Sequence, residues 1–178
     1  EDGLYNILNA YKRLGSLFAR ASYESVPIAI DQVVLNIDIV EGEFIGMGKI
    51  NLSGDLIFSN ERLLKMFNIL RSRIFDEVTF NSDIDRLIRF YSENGYPLVK
   101  VSVDDIIIEN NKVNININIQ NGSLVRIKKF EINGLKKTNK NIILREMAFK
   151  PRDAFNQKDI DESFRRLNNL GYFQNVSP

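Results

Sequence analysis

The sequence predicts an α+β fold built from tandem repeats, each with the order strand, helix, helix, strand, strand. Two observations lead to this prediction. The chain resembles itself when it is shifted so that Gly15 lies over Gly95, and each copy combines amphipathic helical stretches with strands that alternate apolar and polar residues. Because two such helices cover only one face of a small sheet, we expect them to pack on one face of a three-stranded mixed sheet.

Glycines mark the repeat most clearly. The same shift brings three glycines onto three others without a gap between the first pair and the last: Gly15 onto Gly95, Gly42 onto Gly122, and Gly54 onto Gly134. A third copy follows at a slightly shorter step, where Gly95-Tyr96 recurs as Gly171-Tyr172. One folding unit is therefore used several times, so we expect function to lie on surfaces that the units share.

The middle copy is the complete one. A first strand is predicted over residues Gly48–Gly54. Ser59-Asn60 is predicted to cap a first helix, and Asn81-Ser82-Asp83 is predicted to cap a second helix that ends just before Gly95. A second strand is predicted from Leu98 to Ile108.

The third strand of this copy has the most regular pattern in the chain, and it follows a predicted tight turn at Asn110-Asn111. Four apolar residues alternate with four amides: Val113, Ile115, Ile117 and Ile119 with Asn114, Asn116, Asn118 and Gln120. Because successive side chains of a strand point to opposite faces, we expect the isoleucines under the helices and the asparagines in water. The first copy repeats the pattern from Val33 to Ile39.

We accordingly divide the 178 residues into three parts. Residues 1–43 hold the second half of a repeat, with its second helix and its last two strands. Residues 44–122 hold a complete repeat. Residues 123–178 hold a first strand over Arg126–Asn133 and two helices, the second over Gln157–Leu170, and stop as the next strand begins. We expect the parent protein to extend in both directions.

The composition excludes several kinds of catalytic site. The chain has neither His nor Cys, so His-based acid–base catalysis and thiol chemistry are impossible. Asp83-x-Asp85 and Asp159-x-Asp161-Glu162 are interpreted as first-turn residues that offset the positive end of a helix dipole, with metal binding as the less favoured alternative. We therefore expect no enzyme activity and no catalytic, cofactor-binding or metal site.

The distribution of charge and the spacing of glycines argue against nucleic acid as a partner. The net charge is only +1. Residues 123–178 carry 12 Lys and Arg against 6 Asp and Glu, so this last part is the one more suited to an acidic partner, unless these charges only solvate helices. The GXXG loop of KH domains does not occur between the predicted helices.

No apolar stretch reaches the ~18–20 residues of a membrane-spanning helix.

These features together resemble the POTRA domain, the polypeptide-transport-associated repeat of the Omp85 family. The resemblance is carried by the glycine-tyrosine pair after the second helix, the glycine after the third strand, the Ile-x-Gly strand and two segments of the last copy: Gly95-Tyr96, Gly171-Tyr172, Gly42, Gly122, Ile132-Asn133-Gly134, residues 143–147 and residues 163–176. It covers essentially the whole chain. It is strongest for the family members that assemble outer-membrane proteins.

The resemblance implies a non-catalytic binding array on the periplasmic side of the bacterial outer membrane, in a parent chain with a C-terminal outer-membrane β-barrel. Its partners would be unfolded outer-membrane β-barrel proteins, together with accessory assembly lipoproteins or periplasmic chaperones. In this family the second strand of the repeat lies at an open sheet edge, which extended chains can join by β-augmentation. That strand corresponds here to Leu98, Val99, Lys100, Val101, Ser102, Val103 and Asp104.

Three alternatives stay open. The array could be a scaffold that docks accessory lipoproteins through its basic last part, with Arg145 and Glu146 as docking residues. It could belong to a translocation or secretion protein of the same family. The strand from Leu98 to Asp104 could also be an ordinary exposed edge, on which Lys100 guards against aggregation.

Overall fold

The computed structural model describes residues 2–129, 131–135 and 138–173. It has the predicted α+β fold, which combines helices with a mixed sheet. The elements in chain order are α1 (Asp2–Arg13), β1 (Arg20–Ala29), β2 (Gln32–Val40), β3 (Gly46–Gly54), α2 (Asn60–Leu64), a 3-10 helix (Asn68–Arg71), α3 (Glu77–Glu93), β4 (Lys100–Glu109), β5 (Lys112–Gln120), α4 (Lys140–Glu146) and α5 (Gln157–Asn169).

The strands form two sheets. β1 and β2 make an antiparallel hairpin. The second sheet has the order β3–β5–β4, so β5 is its central strand. β3 runs parallel to β5, because hydrogen bonds link Lys49 to Asn114 and then Asn51 to Asn116 as both strands advance. This is the mixed sheet that the sequence predicts.

The first helical region of the middle repeat is broken into two short helices. Ser59 caps α2 as predicted, since its hydroxyl accepts a hydrogen bond from the N–H of Arg62 at 3.4 Å. α2 is then followed by the 3-10 helix instead of continuing. Leu63 and Phe67 are nevertheless buried, as their helical spacing predicts.

The prediction that Asn81-Ser82-Asp83 caps the second helix is wrong. α3 begins at Glu77, and Asp76 caps it, because the Asp76 carboxylate accepts hydrogen bonds from the N–H and the hydroxyl of Thr79 at 2.8 and 2.6 Å. Asp83 lies within α3 and is fully buried. Its carboxylate accepts a hydrogen bond from the N–H of Ile69 at 2.8 Å, so it ties the 3-10 helix to α3.

Gly95 and Gly171 follow α3 and α5 with positive φ angles of 96° and 68°, as predicted. The N–H of Tyr96 donates to the carbonyl of Tyr91 at 2.9 Å, which closes the last turn of α3 in the manner of a Schellman motif. A residue with a Cβ adopts this left-handed backbone only with strain, which explains why the repeat keeps glycine at this point.

The predicted strand over Arg126–Asn133 is not found among the residues that the structure describes there. Arg126 alone forms an isolated antiparallel bridge, with Ala154. A strand persists only where its backbone groups are paired. The first strand of the middle repeat, β3, is paired with β5, and the described residues after α5 provide no counterpart of β5. The two helices predicted in this part are present as α4 and α5.

The alternation in β5 determines which residues enter the core. Its apolar residues Val113, Ile115, Ile117 and Ile119 are 0–1% exposed. The equivalent residues of the earlier copy in β2, which are Val33, Leu35, Ile37 and Ile39, are 39–64% exposed. The same pattern is therefore buried in a sheet of three strands and exposed in a sheet of two, within the part of the chain that the structure describes.

Contacts divide the described chain into two compact units. The first comprises residues 2–53, 58–84 and 102–118, and the second comprises residues 54–57, 85–101 and the described residues from 119 onward. Because this division does not follow the repeats, the three-part division by repeats stays a prediction. Of the helices that are described, none is long and apolar enough to cross a membrane.

Candidate peptide-binding edge

β4 lies at an edge of its sheet. Its only strand neighbour in the described part of the chain is β5, so one side of β4 presents N–H and C=O groups that no strand pairs. Such an edge can accept a further extended chain. The turn Asn110-Asn111, with φ angles of 49° and 57°, connects β4 to β5 as predicted.

The predicted binding segment and β4 overlap without coinciding. Leu98 and Val99 precede the strand, because the N–H of Val99 donates to the carbonyl of Tyr96 at 3.3 Å within a turn. Residues 100–104 belong to β4, as predicted, and the strand continues to Glu109. The available edge therefore extends past the predicted binding segment and ends one residue beyond the predicted end of the strand at Ile108.

The side chains of β4 leave the edge open to solvent. Val101 is half-buried, and every other residue of the strand is exposed, including Val103. The hydroxyl of Ser102 donates to the carboxylate of Asp104 at 3.3 Å. Lys100 forms no ion pair with any described residue, so its ammonium group is free to meet a ligand or solvent.

The first hairpin indicates which N–H groups of β4 point outward. Pro27 lies in β1 opposite Val33, and a proline has no N–H to donate, so this side of β1 is its free edge. The register is unbroken from Arg20 to Pro27, which places Ala21 on the same side. Val101 is the residue that falls on Ala21 when the two copies are aligned on their glycines. We infer that the N–H of Val101 faces the free edge of β4.

Matching glycines support this transfer from one hairpin to the other. A Cβ at Gly42 would lie 3.4 Å from the carbonyl oxygen of Phe18, and a Cβ at Gly122 would lie 3.2 Å from that of Leu98. In the alignment of the two copies, Gly42 falls on Gly122 and Phe18 falls on Leu98. Because equivalent residues approach each other in both hairpins, we infer that β4 and β5 begin to pair in the register of β1 and β2.

Amide side chains line the outer face of the sheet. The Asn51 amide donates to the Asn116 amide oxygen at 2.9 Å, and the N–H of Lys49 donates to the Asn114 amide oxygen at 2.9 Å. The alternation predicted that the asparagines of β5 lie in water, but these bonds leave them half-buried. These bonds link β3 with β5 and use no group on the free edge of β4.

The predicted binding segment stops at Asp104 and so leaves out the apolar end of β4, although the predicted strand includes it. Ile106, Ile107 and Ile108 are 57, 42 and 42% exposed. Three consecutive residues of a strand cannot all face one core, because neighbouring side chains point to opposite faces. The run of three isoleucines could therefore have indicated an exposed apolar segment on this strand.

The predicted docking residues lie at the end of α4. Arg145 is exposed and Glu146 is half-buried, and neither forms an ion pair with another described residue. A mostly apolar cavity of about 410 Å³ lies in the same part of the chain, and neither residue lines it. Its lining includes Ile143, Met147, Phe149, Phe164, Leu167 and Phe173.

The carboxylates of α5 serve the helix itself. Of the three carboxylates predicted in the first turn, only Asp159 lies there, and Asp161 and Glu162 lie beyond it. The N–H of Asp159 donates to the capping side chain of Asn156 at 3.3 Å. Glu162 accepts hydrogen bonds from Arg165 and Arg166 at 2.9 and 2.8 Å, which lowers the pKa of Glu162 below its usual value. No group of three acidic side chains among the described residues is arranged to hold a metal ion.

Comparison of the sequence with known proteins gives a family match and several relatives. The family model POTRA, described as a surface antigen variable number repeat, matches residues 46–122 and 125–178. The outer membrane protein assembly factor BamA of Nitratidesulfovibrio vulgaris is 29% identical over 91% of this chain and 21% of its own length. A Treponema pallidum protein, also named for outer membrane protein assembly, is 31% identical over 82% of this chain and 18% of its own. The chain thus spans about a fifth of the length of these relatives.

Solved structures are similar in fold. The crystal structure of Haemophilus influenzae BamA POTRA3-5 matches with a TM-score of 0.67 over 99% of this chain and 71% of that chain, at 16% identity. BamA from Haemophilus ducreyi lacking POTRA domains 1-3 matches with a TM-score of 0.65 over 74% of this chain and 25% of that chain, also at 16% identity. At these identities the likeness concerns the fold alone.

Proposed function

Since this chain belongs to the POTRA family and its repeats resemble those of BamA, we propose that it is the periplasmic POTRA region of an outer-membrane protein assembly factor. Within that region, the free edge of β4 binds extended segments of unfolded outer-membrane β-barrel proteins. The region binds and positions its clients and performs no catalysis.

One observation supports this proposal above the others. β4 is a ten-residue strand with β5 as its only described neighbour. Its length exceeds the usual five or six residues of a strand, and it contains no proline that would interrupt a ladder on its free side. An added strand would therefore meet a continuous row of donors and acceptors.

Recognition through the backbone suits clients of this kind. Outer-membrane strands share an alternation of apolar and polar residues but little sequence. A ladder of N–H and C=O groups gives affinity without reading side chains, and shallow side-chain contacts adjust it. Clients with different sequences would thus bind to the same edge.

Proline substitution tests the proposal. A fluorescent peptide from an outer-membrane β-strand is titrated into the whole chain, with anisotropy as the readout. Val101→Pro should weaken binding sharply while the fold survives, because the lost N–H faces the free edge. Ser102→Pro removes the neighbouring donor, which we assign to the β5 ladder, so it should disturb the hairpin itself, as circular dichroism would report. Lys100→Ala and Ser102→Ala, which keep the backbone, should change binding little.

Docking of accessory lipoproteins or chaperones is the second candidate function. The exposure of Arg145 on α4 and the basic charge of residues 123–178 favour it for the last part of the chain. If Val101→Pro leaves client binding unchanged in a folded chain, while Arg145→Ala reduces capture of an accessory lipoprotein, the scaffold function replaces the first. A translocation protein similar to TamA is the remaining alternative, and the names of the relatives above favour assembly over it.

A further inference from the structure

The C-terminal part of β4 combines exposed apolar and acidic side chains. We call residues 104–109 the acidic–apolar end of β4; it comprises Asp104, Asp105, Ile106, Ile107, Ile108 and Glu109. All six side chains are exposed. Three of them carry a carboxylate and three are isoleucines, so the segment offers apolar area that negative charges flank.

These carboxylates have little compensation within the protein. Neither Asp105 nor Glu109 forms an ion pair with another described residue, and Asp104 accepts only the hydroxyl of Ser102. Lys49 lines a recess of about 360 Å³ together with Ile107 and Glu109, but it makes no ion pair with Glu109. The negative potential along this end is therefore available to a ligand.

The equivalent end of β1, an edge strand of the first hairpin, lacks this cluster of carboxylates. β1 reads Glu24-Ser25-Val26-Pro27-Ile28-Ala29 where β4 reads Asp104-Asp105-Ile106-Ile107-Ile108-Glu109. β1 thus carries one carboxylate where β4 carries three. It also carries a proline, which protects an edge strand against further pairing. The acidic–apolar character belongs to β4 and is not a general property of the repeat.

We propose that the acidic–apolar end of β4 selects extended strands in which lysine or arginine stands next to apolar residues. The inference rests on the proposed function, because it takes the free edge of β4 as the binding site and adds a preference among clients. Complementary charge on the incoming strand meets Asp105 and Glu109, while its apolar residues cover the isoleucines.

The preference should be moderate and dependent on salt. The carboxylates are exposed, so each pairing with a basic side chain is weak and screened. Two such pairings correspond to roughly a fivefold gain in affinity at low ionic strength. The isoleucines add area that a strand of any charge can cover, so neutral strands should bind as well.

Three peptides with one alternating Val-Thr core and flanking Lys, Gln or Glu residues test the inference. Each is titrated by anisotropy into the whole chain at low and high salt. The variant Asp105→Asn/Glu109→Gln removes the proposed charges. The matched control Asp55→Asn/Asp85→Asn removes the same net charge from two residues outside β4. Ile106→Thr/Ile108→Thr removes apolar area with residues that keep a high strand propensity.

The expected order of affinity is Lys, then Gln, then Glu, with the differences shrinking in high salt. The order should vanish in Asp105→Asn/Glu109→Gln and persist in the control, and Ile106→Thr/Ile108→Thr should weaken all three peptides. Equal affinities in the unmodified chain, or an order that survives removal of Asp105 and Glu109, would overturn the inference and leave the proposed function intact. If none of the peptides binds, or if Val101→Pro leaves their binding unchanged in a folded chain, the proposed function itself fails.

Discussion

The carbonyl oxygen of Gly95 accepts a hydrogen bond from the N–H of Val125 at 2.9 Å. The same bond joins Gly15 to Ile45 at 2.8 Å at the equivalent place in the preceding copy. An isolated antiparallel bridge follows one residue later in both cases. In both copies, the turn after the second helix is thus hydrogen-bonded in the same way to the segment that leads out of the repeat.

Because Gly95 lies against the segment that follows the repeat, substitution of two equivalent glycines should change the free energy of unfolding by unequal amounts. Gly95→Ala should destabilise the chain more than Gly171→Ala. Both glycines have positive φ, a conformation that costs a residue with a Cβ about 1–2 kcal/mol. At Gly95 the new Cβ would also lie 2.4 Å from Cδ1 of Leu124, whereas nothing described lies within 4 Å at Gly171. Urea unfolding of both variants measures the difference.

A double variant controls for this contact. Leu124→Ala removes the side chain that a Cβ at Gly95 would meet, so Gly95→Ala/Leu124→Ala should lose less than the sum of the single changes. Equal destabilisation by Gly95→Ala and Gly171→Ala would mean that backbone conformation alone explains the repeated glycine.

Two isoleucines at equivalent positions should differ in the same assay. Ile117 is fully buried in β5, whereas Ile37 in β2 is exposed. Ile117→Ala should lower the free energy of unfolding by about 2–4 kcal/mol, because it leaves a cavity in the core. Ile37→Ala should cost less than about 1 kcal/mol. Similar losses at both positions would show that the two strands are buried alike in solution.

The buried carboxylate of Asp83 should stabilise the chain through its hydrogen bond to the N–H of Ile69. Asp83→Ala should cost about 1–3 kcal/mol, because the N–H would be left buried without its acceptor. Asp83→Asn keeps an acceptor and should cost less. Ser163 occupies the position of Asp83 in the next copy, and its hydroxyl accepts a hydrogen bond from the N–H of Ala148 at 2.8 Å. Ser163→Ala should therefore also destabilise the chain. Thermal unfolding that is unchanged by Asp83→Ala would refute this role.

The cap at Asp76 should make stability depend on pH at the acid end. Hydrogen bonds from Thr79 lower the pKa of Asp76 below its ordinary value of 3.8. Because the folded pKa lies below the unfolded one, the stabilisation is complete well above 3.8 and is lost as the pH falls through the folded pKa. Urea midpoints between about pH 6 and pH 2.5 should therefore fall less steeply in Asp76→Asn than in the unmodified chain. Parallel curves for the two proteins would count against the cap.

Local patterns in the sequence predicted much of the fold. The alternation around Ile117 placed β5 and its buried face, and the glycine after each apolar helical stripe placed the ends of α3 and α5. Both signals depend on residues close together in the chain. The same reasoning placed the start of the edge strand at Leu98, close to its observed start at Lys100.

Features that depend on distant partners could not be predicted in this way. Asp83 was predicted to cap a helix from its local sequence. Its observed role, accepting the N–H of Ile69, could not be predicted because the two residues meet only in the folded chain. Residues 126–133 have a strand pattern but lack a described strand to pair with. Ile106 was placed in the predicted strand, but its exposure was not predicted, because exposure on an edge strand depends on which neighbours the sheet supplies.

Hydrogen exchange at the N–H of Val101 tests the central claim, that clients add a strand to β4, most directly. Exchange is measured by NMR in the whole chain with and without a saturating outer-membrane strand peptide. The account predicts that exchange at Val101 slows at least about tenfold on binding, while exchange at Ser102, assigned to the β5 ladder, changes little. Unchanged exchange at Val101 with bound peptide, accompanied by slowing on α4 near Arg145, would contradict the account and point to a scaffold surface instead.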